Sequence, residues 1–188
     1  MTRTSPFPLV SSPRILAAAF ALVALFASRT RAGEITVTPL TRDGQVQVSF
    51  DLSDGFTSEV RDAIQSGLAT TFSYTLELRR GAATWFDVTI AQVTVSATVR
   101  FDNLTRRYQM SRSVNGHVED GGPTADEDAV RRWMTHFERI PLSTTSSLEV
   151  NGEYYVRVRA QTRPRNAWVI WPWDGGSALG RAKFTFIQ

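Results

Sequence analysis

Cysteine is missing from all 188 residues. Its absence excludes a disulfide framework, a Cys-based zinc site, a thiol nucleophile and an acylated cysteine anchor. Histidine occurs only twice, at His117 and His136. Lysine is nearly absent too: Lys183 stands alone among 21 basic residues. No G-x-S-x-G elbow occurs, and neither Gly121-Gly122 nor Gly175-Gly176 is followed by Lys-Ser or Lys-Thr, so no phosphate-binding loop is present. There is no internal repeat, heptad or low-complexity tract.

A one-signed charge is lacking as well. The formal net charge is +3. Four arginines (Arg3, Arg14, Arg29, Arg31) and no acids lie in residues 1–32, leaving 17 basic against 18 acidic residues beyond them. The basicity therefore belongs to the leader, and nucleic acid is dropped as a partner. That leader reads as a secretory signal peptide spanning residues 1–32. Arg3 and Arg14 precede an apolar run, Ile15 to Ala27, of 13 residues. As a helix the run spans only ~20 Å, short of the ~30 Å hydrocarbon core. Thr30-Arg31-Ala32 supplies small residues before a cut placed after Ala32. A retained membrane anchor is the alternative. Cleavage leaves no stable membrane span and delivers one domain, residues 33–188, to the periplasm or the exterior.

In that domain period-2 alternation dominates. Ile35, Val37 and Leu40 form a short strand, with Pro39 marking an edge or bend. Asp43-Gly44 then predicts a type I′ hairpin, because both central positions need positive φ. Val46, Val48, Phe50 and Leu52 share a face of the second strand. A short helix follows, capped by Thr57 or Ser58, with Val60, Ala63 and Ile64 inward and Gly67 at a left-handed C-terminal position. Phe72, Tyr74, Leu76 and Leu78 face one way in a third strand, which Gly81-Ala82-Ala83 turns. A long fourth strand, about Trp85 to Asp102, changes apolar parity between Ile90 and Val93, which predicts a β-bulge or sharp bend near Ala91–Gln92.

Tyr108, Met110 and Val114 continue a fifth strand after an Asp102-Asn103 turn; Asn103-Leu104-Thr105 matches a glycosylation acceptor but reads as part of that turn. Residues 115–125 read as a polar loop. A second helix is expected from Asp126 to Arg139, with a Thr124/Glu127 capping box. Its stripe is Val130, Trp133, Met134 and Phe137, closed by Ile140 before Pro141. Tyr154, Val156, Val158 and Ala160 alternate in the next strand, and Arg181 to Ile187 form the last. The fold class is α+β and β-rich: a curved antiparallel sheet, barrel- or sandwich-like, carrying two helices.

No residue is assigned a catalytic or metal-binding role, and no cofactor is implied. His117 reads as solvated, and His136 as half-exposed on a helix flank. Glu77, Asp87 and Glu153 sit at polar-facing strand positions. They either converge as a glycosidase pair or face arginines such as Arg79, Arg100 and Arg157 in cross-strand ion pairs. The candidate binding residues are the indoles Trp168, Trp171 and Trp173, able to stack on a sugar, to sit at a membrane interface or to cap the sheet, and Arg157 and Arg159, which with Arg163 and Arg165 either make a basic face able to meet anionic lipid or polysaccharide or, as the near-zero charge of residues 33–188 favours, belong to a mixed-sign surface.

The segments FDLSDGFTSEVRDAIQSGLATTFSYTLELRR (50–80), WFD (85–87), FDNLTRRYQMSR (101–112), NGEYYVRVRA (151–160), and WPWD followed by FTF resemble the bacterial domain-of-unknown-function family DUF4390. The resemblance implies an exported, envelope-facing protein of Gram-negative-type bacteria and brings no activity or catalytic residue. In some members a neighbouring gene encodes a nitrogen-regulation-type sensor kinase, and the resemblance to them implies an accessory role in envelope signalling. The leading expectation is a non-enzymatic module binding an envelope protein or other envelope component; the alternative is a periplasmic hydrolase of envelope carbohydrate. The oligomeric state is left open.

Overall fold

A computed structural model describes residues 33–81, 87–164 and 178–187. The expected leader, Arg165 and the indoles Trp168, Trp171 and Trp173 lie outside them, as does most of the expected Gly81-Ala82-Ala83 turn. The described residues form nine strands and two α-helices in the order β1 (Ile35–Arg42), β2 (Gln45–Leu52), α1 (Ser58–Gln65), β3 (Thr70–Arg80), β4 (Val88–Asp102), β5 (Arg107–Val114), β6 (His117–Thr124), α2 (Glu127–Thr135), β7 (His136–Thr144), β8 (Glu153–Pro164) and β9 (Ala178–Thr185), with a short 3-10 turn at Thr145–Ser147. They make two antiparallel sheets, ordered β1-β2-β7 and β6-β5-β4-β3-β8-β9. The arrangement is sandwich-like and the sheets do not close into a barrel.

The strand pattern buries what it promises. Val46, Val48, Phe50 and Leu52 from the small sheet meet Phe72, Tyr74, Leu76, Leu78, Val93, Val95, Ala97, Val99, Val156 and Val158 from the large one in a single core. At one margin β1 crosses β9 so closely that a Cβ on Gly180 would stand 2.5 Å from the Ile35 carbonyl oxygen. Only glycine lets the two sheets approach there. The hairpin at Asp43-Gly44 forms with φ of 51° and 73°, as a type I′ turn demands. Thr57 caps α1 by accepting from the Val60 N–H, and Gly67 ends it at φ +87°. The parity change in β4 is a bulge: Leu78 pairs with Ala91 and Arg79 with Thr89, so Ile90 is the extra residue. Val88, before the bulge, is exposed.

Three expectations are corrected. The stretch 115–125 is not a loop, for Asn115-Gly116 (φ 48° and 87°) makes a second tight hairpin and residues 117–124 pair with β5. The edge strand β6 carries its own bulge at Gly121, where an added Cβ would meet the Trp133 ring at 2.8 Å. The second helix also ends at Thr135, four residues before Arg139. From His136 the chain is extended and pairs with β2, with Pro141 on this edge strand. Its N-cap is Asp126, which accepts from the Asp128 N–H, rather than the Thr124/Glu127 box.

The early stop of α2 has a physical cause. Phe137 leaves the helix to stack on Phe50 (centroids 4.7 Å apart) and to meet the Tyr74 ring edge-on at 5.0 Å. The freed helix-end carbonyls are then claimed from outside. Arg112 of β5 donates to the Trp133 oxygen (Nε, 3.0 Å) and the His136 oxygen (Nη2, 2.8 Å), while its guanidinium lies over the Trp133 and Phe137 rings. The buried Tyr74 hydroxyl donates to the Met134 oxygen at 2.7 Å. Burial pushes that hydroxyl's pKa far up, so it stays a donor at any physiological pH.

Candidate functional site

The large sheet has a second face. Side chains alternate across a strand, so the residues between the buried ones of β3, β8 and β9 point away from the core. Register sets them in three rows. Arg181 on β9 stands beside Arg157 on β8, which stands beside Glu77 on β3. The next row is Lys183, Tyr155 and Arg79; the row on the other side is Leu179, Arg159 and Thr75. Successive rows are about 7 Å apart and neighbouring strands about 4.8 Å.

The centre of this face is a locked ionic cluster. Glu77 Oε2 accepts from Arg79 Nη1 at 3.1 Å and from Arg157 Nε at 3.0 Å, with a further contact from Arg157 Nη2. The three side chains retain only 16–27% of their exposure. Arg79 Nη2 reaches the Asp87 carbonyl oxygen at 3.0 Å, and the Tyr155 hydroxyl donates to the Asp87 carboxylate. Arg181 covers the Tyr155 ring, its Cζ 3.7 Å from the centroid. Tyr155 is thus buried outside the core cluster, beneath charged groups. Desolvation raises the Glu77 pKa, but the hydrogen bonds and charges of Arg79 and Arg157 outweigh it and hold the carboxyl below its ordinary value. Burial and the bond to Asp87 push the Tyr155 hydroxyl up.

Around this centre Arg159, Arg181 and Lys183 are exposed. The three strands and Asp87 therefore present Arg79, Arg157, Arg159, Arg181 and Lys183 against Glu77, Asp87 and Glu153. The face thus carries a small excess of basic over acidic side chains, on a body whose residues 33–188 hold 17 basic and 18 acidic groups.

Of the sequence candidates, Arg157 and Arg159 are two rungs of this face, Arg157 locked and Arg159 exposed. Glu77 and Asp87 meet around Arg79 and Tyr155. Glu153 shares the face but lies four residues along β8 from the partner of Glu77, about 13 Å away at 3.3 Å per residue. The cross-strand pairing of Glu77 with an arginine is the arrangement found. Sequence reasoning passed over Tyr155, Arg181 and Lys183 as site residues. Their outward parity was readable, but the adjacency of β8 and β9 to β3 was not.

A concavity of about 600 Å³ lies where the end of β2 and its following turn (Asp51 to Phe56) meet α1 and the α2–β7 junction. His136 stands in it as the first residue of β7, not on a helix flank. Its Nδ1 is 3.0 Å from Asp51 Oδ2 and its Nε2 3.1 Å from Glu138 Oε1. The bond to Glu138, then that to Asp51, raise the imidazole pKa. The neighbouring guanidiniums are paired, Arg61 with Glu127 and Arg131 with Asp128 at 2.8 Å. His117 is exposed on the distant edge strand β6. Among the described residues no three His, Asp or Glu side chains are grouped to hold a metal ion. None of the described helices is long and apolar enough to cross a membrane.

The profile of the domain of unknown function DUF4390 matches residues 27–166, and the chain belongs to that family. The match takes in β1 to β8 and stops before the WPWD and FTF segments. No curated protein and no solved structure matches the chain.

Proposed function

We propose that this DUF4390 member is an exported, non-enzymatic binding module of the bacterial envelope, working in the periplasm through its surface. Accessory service to envelope signalling is one form such binding takes. The observation that carries the reading is the outer face of β3, β8 and β9: a braced ionic centre with exposed cations around it and, among its described residues, no group poised for proton transfer. The leader pattern of residues 1–32 supports export.

The hydrolase reading fares worse on the same residues. A glycosidase pair needs one carboxyl kept protonated near neutral pH and two carboxyls some 5–10 Å apart. Glu77 is held ionised by two guanidiniums, the opposite of a general acid. Glu153 is too far along its strand, and among the described residues these side chains stand on a sheet face.

The test is to recover the protein from its own bacterium by gentle release of the periplasm and to sequence its N-terminus. A chain beginning at Gly33 in the periplasmic fraction, inert toward cell-wall and capsular glycans, is expected. An intact chain in the cytosol, or glycan cleavage lost on Glu77→Gln, contradicts the reading.

A further inference from the structure

We propose that the outer face of β3, β8 and β9 is a binding surface for an acidic glycan, a polysaccharide bearing carboxylate or sulfate-like anions. This names a ligand class for the module proposed above and rests on that reading.

Three observations on the face converge. First, its exposed cations form a grid. Arg159 stands on β8 one row from Arg157, which Glu77 holds, and on β9 Arg181 stands beside Arg157 and Lys183 beside Tyr155. A linear polyanion laid along the β8–β9 seam meets Arg159, Arg181 and Lys183 in successive rows, about 7 Å apart. Second, the grid is braced from below. Glu77 fixes Arg157 and Arg79 from one oxygen, and Tyr155 supports Arg181. Cations already ordered lose less conformational entropy when an anion arrives. Third, the ground beside them is hydroxylic. Thr71, Ser73 and Thr75 on β3 face outward, as do Thr94, Ser96 and Thr98 on β4, with Thr71 and Thr98 joined through their hydroxyls at 2.9 Å. Such groups donate to and accept from sugar hydroxyls.

The same face suits the other polyanions less well. Single-stranded nucleic acid wants open aromatic rings for its bases, and the one aromatic described here, Tyr155, is covered by Arg181. A lipid surface wants an apolar wedge beneath the cations, and among the described residues of β3, β8 and β9 only Leu179 is large, apolar, exposed and outward-facing.

The mature chain, residues 33–188, is titrated at low salt against polygalacturonate, with neutral dextran, anionic phosphatidylglycerol vesicles and a single-stranded oligonucleotide as parallel arms. Arg159→Gln/Lys183→Gln removes two exposed cations and spares the braced centre. Arg131→Gln/Arg132→Gln removes two cations from α2 as a control, and circular dichroism verifies each fold. Binding of polygalacturonate but not dextran is expected, weakened about tenfold by the first pair, equivalent to about 1.4 kcal/mol, and unchanged by the second. No binding by the folded wild-type chain, equal losses in both pairs, or tighter binding to vesicles or oligonucleotide overturns the proposal. Failure here with the protein still processed and periplasmic removes the glycan and leaves the export reading standing. A cytosolic chain removes that reading whatever polygalacturonate does.

Discussion

The two faces of β3 and β8 are built from alternate residues of the same strands and hold together by different physics. Inward, Tyr74, Leu76, Leu78, Val156 and Val158 are fully or almost fully removed from water. Outward, Thr75, Glu77, Arg79, Arg157 and Arg159 make a graded surface, locked at its centre and exposed at its edge. Hydrophobic burial is worth about 1.5–3 kcal/mol for each large side chain. A cross-strand ion pair is worth about 0.2–1 kcal/mol. The inner face therefore carries stability, and the outer face can change chemically at small cost to the fold. Selection for a ligand can act on such a surface almost independently of selection for folding.

The sharpest way to break this contrast is at the inner seam. Phe137→Ala empties a site stacked against Phe50, Tyr74 and the Arg112 guanidinium, and is expected to cost about 3–5 kcal/mol in urea unfolding. A loss below about 1 kcal/mol would show that the seam is not the keystone. Arg112→Met leaves the Trp133 and His136 carbonyls without their donor and should cost about 2–3 kcal/mol. Tyr74→Phe strands the buried Met134 oxygen for about 1–2 kcal/mol.

Outward substitutions should fall below these values. Glu77→Gln is expected to cost about 1 kcal/mol at neutral pH. Because the folded carboxyl titrates below its ordinary value, its contribution is present above the unfolded pKa near 4.5 and is lost as pH falls through the lower folded one. Unfolding midpoints of the variant and the wild type should therefore converge in acid; a gap that persists at low pH would deny the ionic role.

His136 should give the smallest effect. Its folded pKa is raised above the ordinary 6.5. Its stabilisation is complete below that value and fades as pH rises through the higher folded pKa. The imidazole is 46% exposed, so solvent screening holds the gain under about 1 kcal/mol. His136→Asn should flatten the stability profile above pH 6.5, and an unchanged slope would count against the Asp51 and Glu138 contacts.

Much of the inner face was legible because alternation has one meaning once a strand is recognised. The Asp43-Gly44 hairpin, the cap at Thr57 and the bulge in β4 all followed from local chemistry. The end of α2 did not. Met134, Phe137 and Ile140 fit both a helical stripe and the continuation of a chain into a strand, and only the presence of Phe50 and Tyr74 across the core settles which is used. The Asn115-Gly116 signal was in the sequence, masked by the glycines, proline and acids after it. Those residues mark an edge strand fitted beneath Trp133.

The outer site was legible as a list of outward charges, including Arg157, Arg159 and Glu77, but not as a cluster. Strand β8 lies next to β3 across some 80 residues of chain, as the Glu77–Arg157 pair shows, and no local pattern encodes that adjacency. The indoles at 168, 171 and 173 remain sequence candidates outside the described residues.

The account turns on whether the outward cations of β8 and β9 take up an anionic polymer. The most direct measurement is the salt dependence of polygalacturonate binding by the wild type and by Arg159→Gln/Lys183→Gln. Each cation neutralising an anion releases a counterion, which steepens the fall of log affinity with log salt by about one. The account predicts a steep wild-type slope, shallower by about two in the double variant. Equal slopes, or a wild-type affinity indifferent to salt, would contradict it.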